Sequence, residues 1–218
     1  MKTRPIFLIS ITPPNDTDVI HLPLLKTVFA HPKIDLDRYE GIILTSKQGV
    51  EAMEAIDPQW KSLPVLCVGK ATQKHAEALG ANVLERSDGY GAGLYDIVMQ
   101  RYTDKHWLYA RPKVVASDFA ERLRQKGVRI DEAVVYETVC DAANNDTAIP
   151  DDAILIFTSP SALHCFTSRY DIAPSHDLVV IGKTTAKAID ERQRVHLAAE
   201  PSVAACIALA KQLKGEPS

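Results

Sequence analysis

At 218 residues, with 46% hydrophobic and 24% charged side chains and a net charge of −3, the chain has the make-up of an ordinary globular protein long enough for two small domains. The mildly acidic balance argues against a general nucleic-acid binder, and no apolar stretch nears the roughly 18 residues of a membrane span, so neither nucleic acid nor membrane is an expected partner. Basic residues do precede an apolar run at the start, but the run covers only residues 6–11 and meets Pro13 and Pro14, so no cleaved leader is expected. Cys67, Cys140, Cys165 and Cys206 are far apart and read as buried free thiols of a reducing cytosol. Neither they nor the seven histidines show metal-ligand spacing.

In chain order, residues 5–11 read as a first strand, and TPPNDTD after them is turn chemistry that leaves no room for a helix of normal length. Residues 21–29, apolar around Pro23, read as an extended strand that crosses from one lobe to another. There follow a strand over 41–45, a helix over 47–56, a strand over 65–68, a helix over 71–79 and a short strand over 82–84. The loop SDGYGAG over 87–93 lacks the GxGxxG spacing and a strand running into the turn, which sets nucleotide binding aside. A helix over 94–102, a strand over 106–110 and a helix over 116–126 come next, the last ended by Gly127 as a C-terminal cap. A long strand covers 129–139, and the polar loop 141–152 marks a second crossing. Beyond it lie strands over 153–157, 178–181 and 195–197 and helices over 161–168, 184–192 and 202–214.

The pattern is a duplication. EGIILTSKQGVEAM (residues 40–53) returns as DAILIFTSPSALHCF (152–166), and LCVGKATQKHAEAL (66–79) returns as VVIGKTTAKAI (179–189). Thr45 and Thr158, and likewise Gly69 and Gly182, are 113 residues apart, so no net insertion separates the two blocks. Strands alternating with helices imply an α/β fold with parallel sheets covered on both faces. If the first strand completes the second repeat, one lobe is discontinuous, residues 1–23 with 141–218, and the other is inserted, residues 27–138. Two connections near 24–26 and 139–140 then form a two-stranded hinge.

Ligands of open α/β sheets sit at the carboxyl ends of strands, where helix starts present free N–H groups. Four such ends carry hydroxyls: Thr45 and Ser46, Thr72, Thr158 and Ser159, and Thr184 and Thr185. Each is an ordinary helix cap when taken singly. Their matched placement in two lobes points instead to one cleft for a ligand with many anionic groups, where Lys47, Lys70, Arg111, Lys113 and Lys183 would add positive charge. Tyr136 falls in the strand just before the second crossing, with a phenol at the cleft's mouth as one reading and a packed ring as the other.

VGKAT (68–72), the strand ending in Arg111, VYET (135–138), FTSPSAL (157–163) and IGKTTAKAI (181–189) make the chain resemble the uroporphyrinogen-III synthase family over most of its length. The resemblance implies two flavodoxin-like lobes joined by two extended strands, with neither metal nor organic cofactor. It implies hydroxymethylbilane, a linear tetrapyrrole rich in carboxylates, as substrate. This is cyclised with loss of water and inversion of ring D to uroporphyrinogen III, an intermediate of heme biosynthesis. Tyr136 matches the family's tyrosine that assists departure of the terminal hydroxyl, and Ser46, Thr72, Arg111, Thr158, Ser159, Thr184 and Thr185 carry over as substrate contacts. The implied enzyme is a cytoplasmic monomer, with transient contact to a neighbouring pathway enzyme left open.

The chain departs from the family in lacking a helix after its first strand and in carrying Arg111–Pro112, with Ala116 at the next helix start, where relatives often have Arg-Gly and then a second Arg. Lys70 and Lys183 stand at variable positions of their motifs. The alternative reading is a non-catalytic two-lobed binding or sensor module for a polyanionic small ligand, which would have no need of a phenol at the hinge.

Overall fold

A computed structural model describes residues 4–88, 91–115, 117–141 and 147–215. Its elements run β1 (Ile6–Ile9), β2 (Val19–Leu22), β3 (Leu25–Phe29), β4 (Gly41–Leu44), α1 (Lys47–Ile56), β5 (Val65–Val68), α2 (Lys70–Ala78), β6 (Val83–Ser87) and α3 (Gly91–Arg101). They continue with β7 (Trp107–Pro112), α4 (Phe119–Gln125), β8 (Ile130–Cys140), β9 (Ile154–Phe157), α5 (Pro160–Thr167), β10 (Asp177–Val180), α6 (Lys183–Ala186), β11 (Arg194–Leu197) and α7 (Val203–Gly215). The chain divides into two compact units, Met1–Lys26 with Thr138–Ser218, and Thr27–Glu137.

One sheet has the order β11-β10-β9-β1-β2 and the other β6-β5-β4-β7-β8-β3. The pairs within β11-β10-β9-β1-β2 and β6-β5-β4-β7-β8 are parallel. At the end of the larger sheet β3 lies antiparallel to β8, since Asp141 N–H bonds the Leu24 carbonyl at 2.8 Å and Ala30 N–H bonds the Val135 carbonyl at 2.9 Å. The first five strands of each order are the same arrangement, with β1 and β2 standing where β7 and β8 stand. Register agrees: Leu44 of β4 pairs with Ala110 of β7 as Phe157 of β9 pairs with Ile9 of β1.

β1, β4, β9 and β10 are buried at every position because helices cover both faces of their sheets, which is why these strands read as continuous apolar runs. Phe7, Ile9, Leu155, Phe157, Leu178 and Val180 pack against Leu163 and Phe166 of α5, while Ile6, Leu8, Ile156 and Val179 pack against Cys206, Ala210 and Leu213 of α7. In the inserted unit Ile42, Leu44, Val65 and Leu108 meet Val50 and Met53 of α1, and Ile43, Leu66, Trp107 and Tyr109 meet α3 and α4. The Trp107 ring lies so close to Gly41 that a side chain there would collide with it. Gly127, at φ +85°, ends α4 as expected: its N–H bonds the Arg124 carbonyl at 3.0 Å and Val128 N–H bonds that of Leu123 at 3.1 Å.

Several expectations are corrected. The single strand over 21–29 is two, β2 and β3, because Pro23 has no N–H to continue a ladder. Leu22 therefore ends beside β1, and Leu25 begins the edge strand next to β8. The helix over 184–192 is only α6: after it the Ala188 and Ile189 N–H groups bond carbonyls three residues back, at 3.1 Å each, and Asp190 accepts the Arg192 N–H at 2.9 Å in a separate turn. None of the described residues 10–18 is helical, so β1 and β2 are parallel neighbours joined without a crossover helix. Cys140 and Cys165 are not free thiols. They form a disulfide with S–S 2.07 Å, because the end of β8 lies beside α5, whereas Cys67 and Cys206 are buried and free. Residues 89–90 of the glycine loop, Ala116 and residues 142–146 of the polar loop lie outside the described residues. No described helix is long and apolar enough to cross a membrane.

Candidate active site

Seven of the eight candidate catalytic and substrate-contact residues stand at or beside the carboxyl ends of parallel strands, and Tyr136, inside β8, stands level with the end of β7. Ser46, Thr72, Arg111 and Tyr136 belong to the inserted unit, and Thr158, Ser159, Thr184 and Thr185 to the discontinuous one. Ser46 follows β4 as the N-cap of α1, extended at φ −158°, and its Oγ accepts the Gly49 N–H at 3.0 Å. Ser159 does the same after β9, accepting the Ala162 N–H at 3.1 Å. Thr72 and Thr185 are the buried third residues of α2 and α6, each of which starts after a glycine. Lys70, Lys183 and Thr184 are exposed.

Tyr136 is brought to this level by a register shift. β7 and β8 pair residue for residue from Trp107 with Ile130 to Arg111 with Val134, and then Pro112 pairs with Tyr136. The ring packs in the apolar cluster shared with α1 and is only 6% exposed. Its Oη lies 2.7 Å from Ser46 Oγ. Burial pushes the phenol above the usual tyrosine range, and the hydrogen bond with Ser46 draws it back only in part, so it carries its proton at neutral pH.

Two partners in this arrangement were not anticipated. Burial likewise pushes up the phenol of Tyr109 on β7, and the neighbouring Thr45 side chain draws it back only in part. Thr45 and Ser46 thus each stand beside one tyrosine, and Ser46 meets its hydroxyl directly. Glu132 on β8 meets the Nε of Arg111 at 2.5 Å and also pairs with Arg124. Arg111 further donates from Nη1 to the carbonyls of Pro112 at 2.9 Å and Lys113 at 3.1 Å, so its guanidinium is already engaged. Lys113 pairs with Glu137 at 2.9 Å. Strand alternation could have paired Arg111 with an acid on the neighbouring strand, but choosing Glu132 requires the register. Among the described residues no group of three or more His, Cys, Asp or Glu side chains is placed to hold a metal ion.

Residues 15–208 match the family model described as uroporphyrinogen-III synthase HemD. The chain belongs to the uroporphyrinogen-III synthase family. Its fold is similar to the crystal structure of uroporphyrinogen-III synthetase from Helicobacter pylori 26695, with a TM-score of 0.82 at 23% identity over 96% of this chain and 99% of that one. It is also similar to a mutant uroporphyrinogen III synthase from the extremely thermophilic bacterium Thermus thermophilus, with a TM-score of 0.56 at 13% identity over 90% of this chain and 89% of that one. A search of curated proteins finds no match. Identities this low speak for the fold alone, and the family rests on the match of residues 15–208. Membership of the uroporphyrinogen-III synthase family makes this chain a cyclising lyase of porphyrin biosynthesis.

Proposed function

We propose that the chain converts hydroxymethylbilane to uroporphyrinogen III with Tyr136 as the proton donor to the departing hydroxyl. The supporting observation is a buried phenol at the carboxyl edge of a parallel sheet, fixed by Ser46 and protonated at neutral pH. Protonation lets the terminal hydroxyl leave as water, which generates an azafulvene electrophile. Attack by ring D through a spiro intermediate inverts that ring before closure. Closure without inversion competes, so the protein must hold one reactive conformer in preference to others, work that positioning side chains can do without metal or organic cofactor.

Thr72, Thr158, Ser159, Thr184 and Thr185 are the proposed contacts to substrate carboxylates, supported by their places at helix starts. Arg111 belongs to this set only as a shared cation, because a substrate carboxylate would compete with Glu132 for it. The reading carries with it a cytoplasmic monomer, which gel filtration with and without the neighbouring pathway enzymes checks. The direct test supplies freshly generated hydroxymethylbilane, oxidises the products and separates uroporphyrin isomers. Type III above the uncatalysed background is the expected result; type I alone from folded protein would reject the proposal.

A further inference from the structure

Ser46 Oγ takes part in two hydrogen bonds. It accepts the Gly49 N–H at 3.0 Å, and it sits 2.7 Å from Tyr136 Oη. A serine hydroxyl has one proton, and so has a phenol; between the two oxygens only one of those protons can lie. Were it the phenol's, Tyr136 would spend its proton inside the protein and have none to offer a leaving group. The start of the ten-residue α1 favours the other orientation. Its free N–H groups and positive end of the helix dipole attract the phenol oxygen and repel a proton pointed toward them. Accepting the Gly49 N–H also polarises the serine hydroxyl and strengthens it as a donor.

We infer that Ser46 donates its hydroxyl proton to Tyr136 Oη, leaving the phenol's own proton free for the substrate and stabilising the phenolate that forms when that proton departs. The inference rests on the proposed role of Tyr136. The proton moves from Tyr136 Oη to the terminal hydroxyl oxygen of the substrate, the carbon–oxygen bond breaks with its electron pair on oxygen, and water leaves. The phenolate recovers a proton from the substrate by the end of ring closure, so the sum is loss of one water. Because Tyr136 is only 6% exposed, solvent offers its phenolate little, and the Ser46 donor is worth more to the charged form than to the neutral one. Ser46 is then a positioning residue acting through Tyr136 and not a contact to a substrate carboxylate, although its twin Ser159, with the same cap geometry, remains available for that task.

The test separates the cap from the donor. Glycine is a good N-cap but has no hydroxyl, so Ser46→Gly removes the donor to Tyr136, while loss of the acceptor for the Gly49 N–H costs α1 little. The expected result is a roughly 10- to 100-fold fall in kcat with KM within about twofold, an unchanged melting curve, and return of turnover in Ser46→Thr. In a Tyr136→Phe background, Ser46→Gly should add no more than about twofold, since its effect passes through the phenol. A Ser46→Gly enzyme with unchanged kcat and raised KM would overturn the inference in favour of a substrate contact. Additive losses in the double variant would also overturn it. If Tyr136→Phe alone keeps full turnover, the reading of Tyr136 itself falls, an outcome distinguishable from either of those.

Discussion

Residues 45–46 and 158–159 end equivalent strands and begin equivalent helices, and the two serines cap those helices at 3.0 and 3.1 Å. Around the caps the units differ. In the inserted unit Ser46 meets the hydroxyl of Tyr136 from β8, and Thr45 stands beside Tyr109 of β7. In the discontinuous unit the places of β7 and β8 are filled by β1 and β2, where Leu8 stands at the position of Tyr109, and Thr158 donates to the Ile9 carbonyl at 3.2 Å. A helix, α4, joins β7 to β8, whereas none of the described residues joining β1 to β2 is helical. Duplication therefore copied the capped turn, and the neighbouring strands decide which copy also meets a tyrosine hydroxyl.

The strongest way to break this contrast is to remove the phenol. Tyr136→Phe should lower kcat by roughly 100-fold or more with substrate binding nearly unchanged, measured by single-turnover kinetics and isomer analysis. A fall in affinity without a fall in kcat would make Tyr136 a binding residue and not a proton donor.

The discontinuous unit has an ionic feature at the other end of its strands. Asp177, 4% exposed at the start of β10, pairs with Arg4, Arg194 and His196. Burial pushes its carboxyl up, but hydrogen bonds from Arg4 and His196 and the charges of Arg4 and Arg194 outweigh burial and hold it below the usual range. A depressed folded-state pKa contributes stability that is present above the unfolded carboxyl's pKa of about 4 and is lost as pH falls through the lower folded value. Asp177→Asn should lose about 3 kcal/mol near neutral pH, read from urea midpoints, and flatten the acid limb of stability against pH. An acid limb as steep as that of the wild type would assign it to other groups.

The disulfide is a further difference between the repeats. Cys165 bonds Cys140, 25 residues away, while Cys67 of the inserted unit is a free thiol that burial pushes up to about 11. Reduction should destabilise the discontinuous unit by about 3 kcal/mol in thermal unfolding, and denatured, unreduced protein should titrate two of its four cysteines. Four reactive thiols would show that the bond does not form in solution.

The smallest expected contrast is at the glycines that start the second pair of helices. Gly69 has φ +76° with open space where a side chain would go, whereas Gly182 is extended at φ −168°. Gly69→Ala should cost about 1 kcal/mol or more, and Gly182→Ala should be close to neutral, by thermal melts of the two variants. Equal effects would mean the two turns share a backbone constraint beyond φ.

Strand–helix alternation, the 113-residue repeat and the serine caps were legible in the chain because they depend on periodicity and on bonds reaching three residues ahead. So was the absence of a helix after the first strand, written in TPPNDTD. What the tertiary structure alone decided are contacts between distant residues. Pro23 divides an apparently single strand between two sheets, and a helix whose pattern ran on to residue 192 gives way to tight turns after Ala186. The register shift after Arg111 sets Tyr136 beside Pro112, where its hydroxyl meets Ser46, 90 residues earlier. That register also turns Glu132 onto Arg111, and the same folding brings Cys140 to Cys165. Such pairings follow from how strands are aligned in a sheet, and the period of a strand is the same in every alignment.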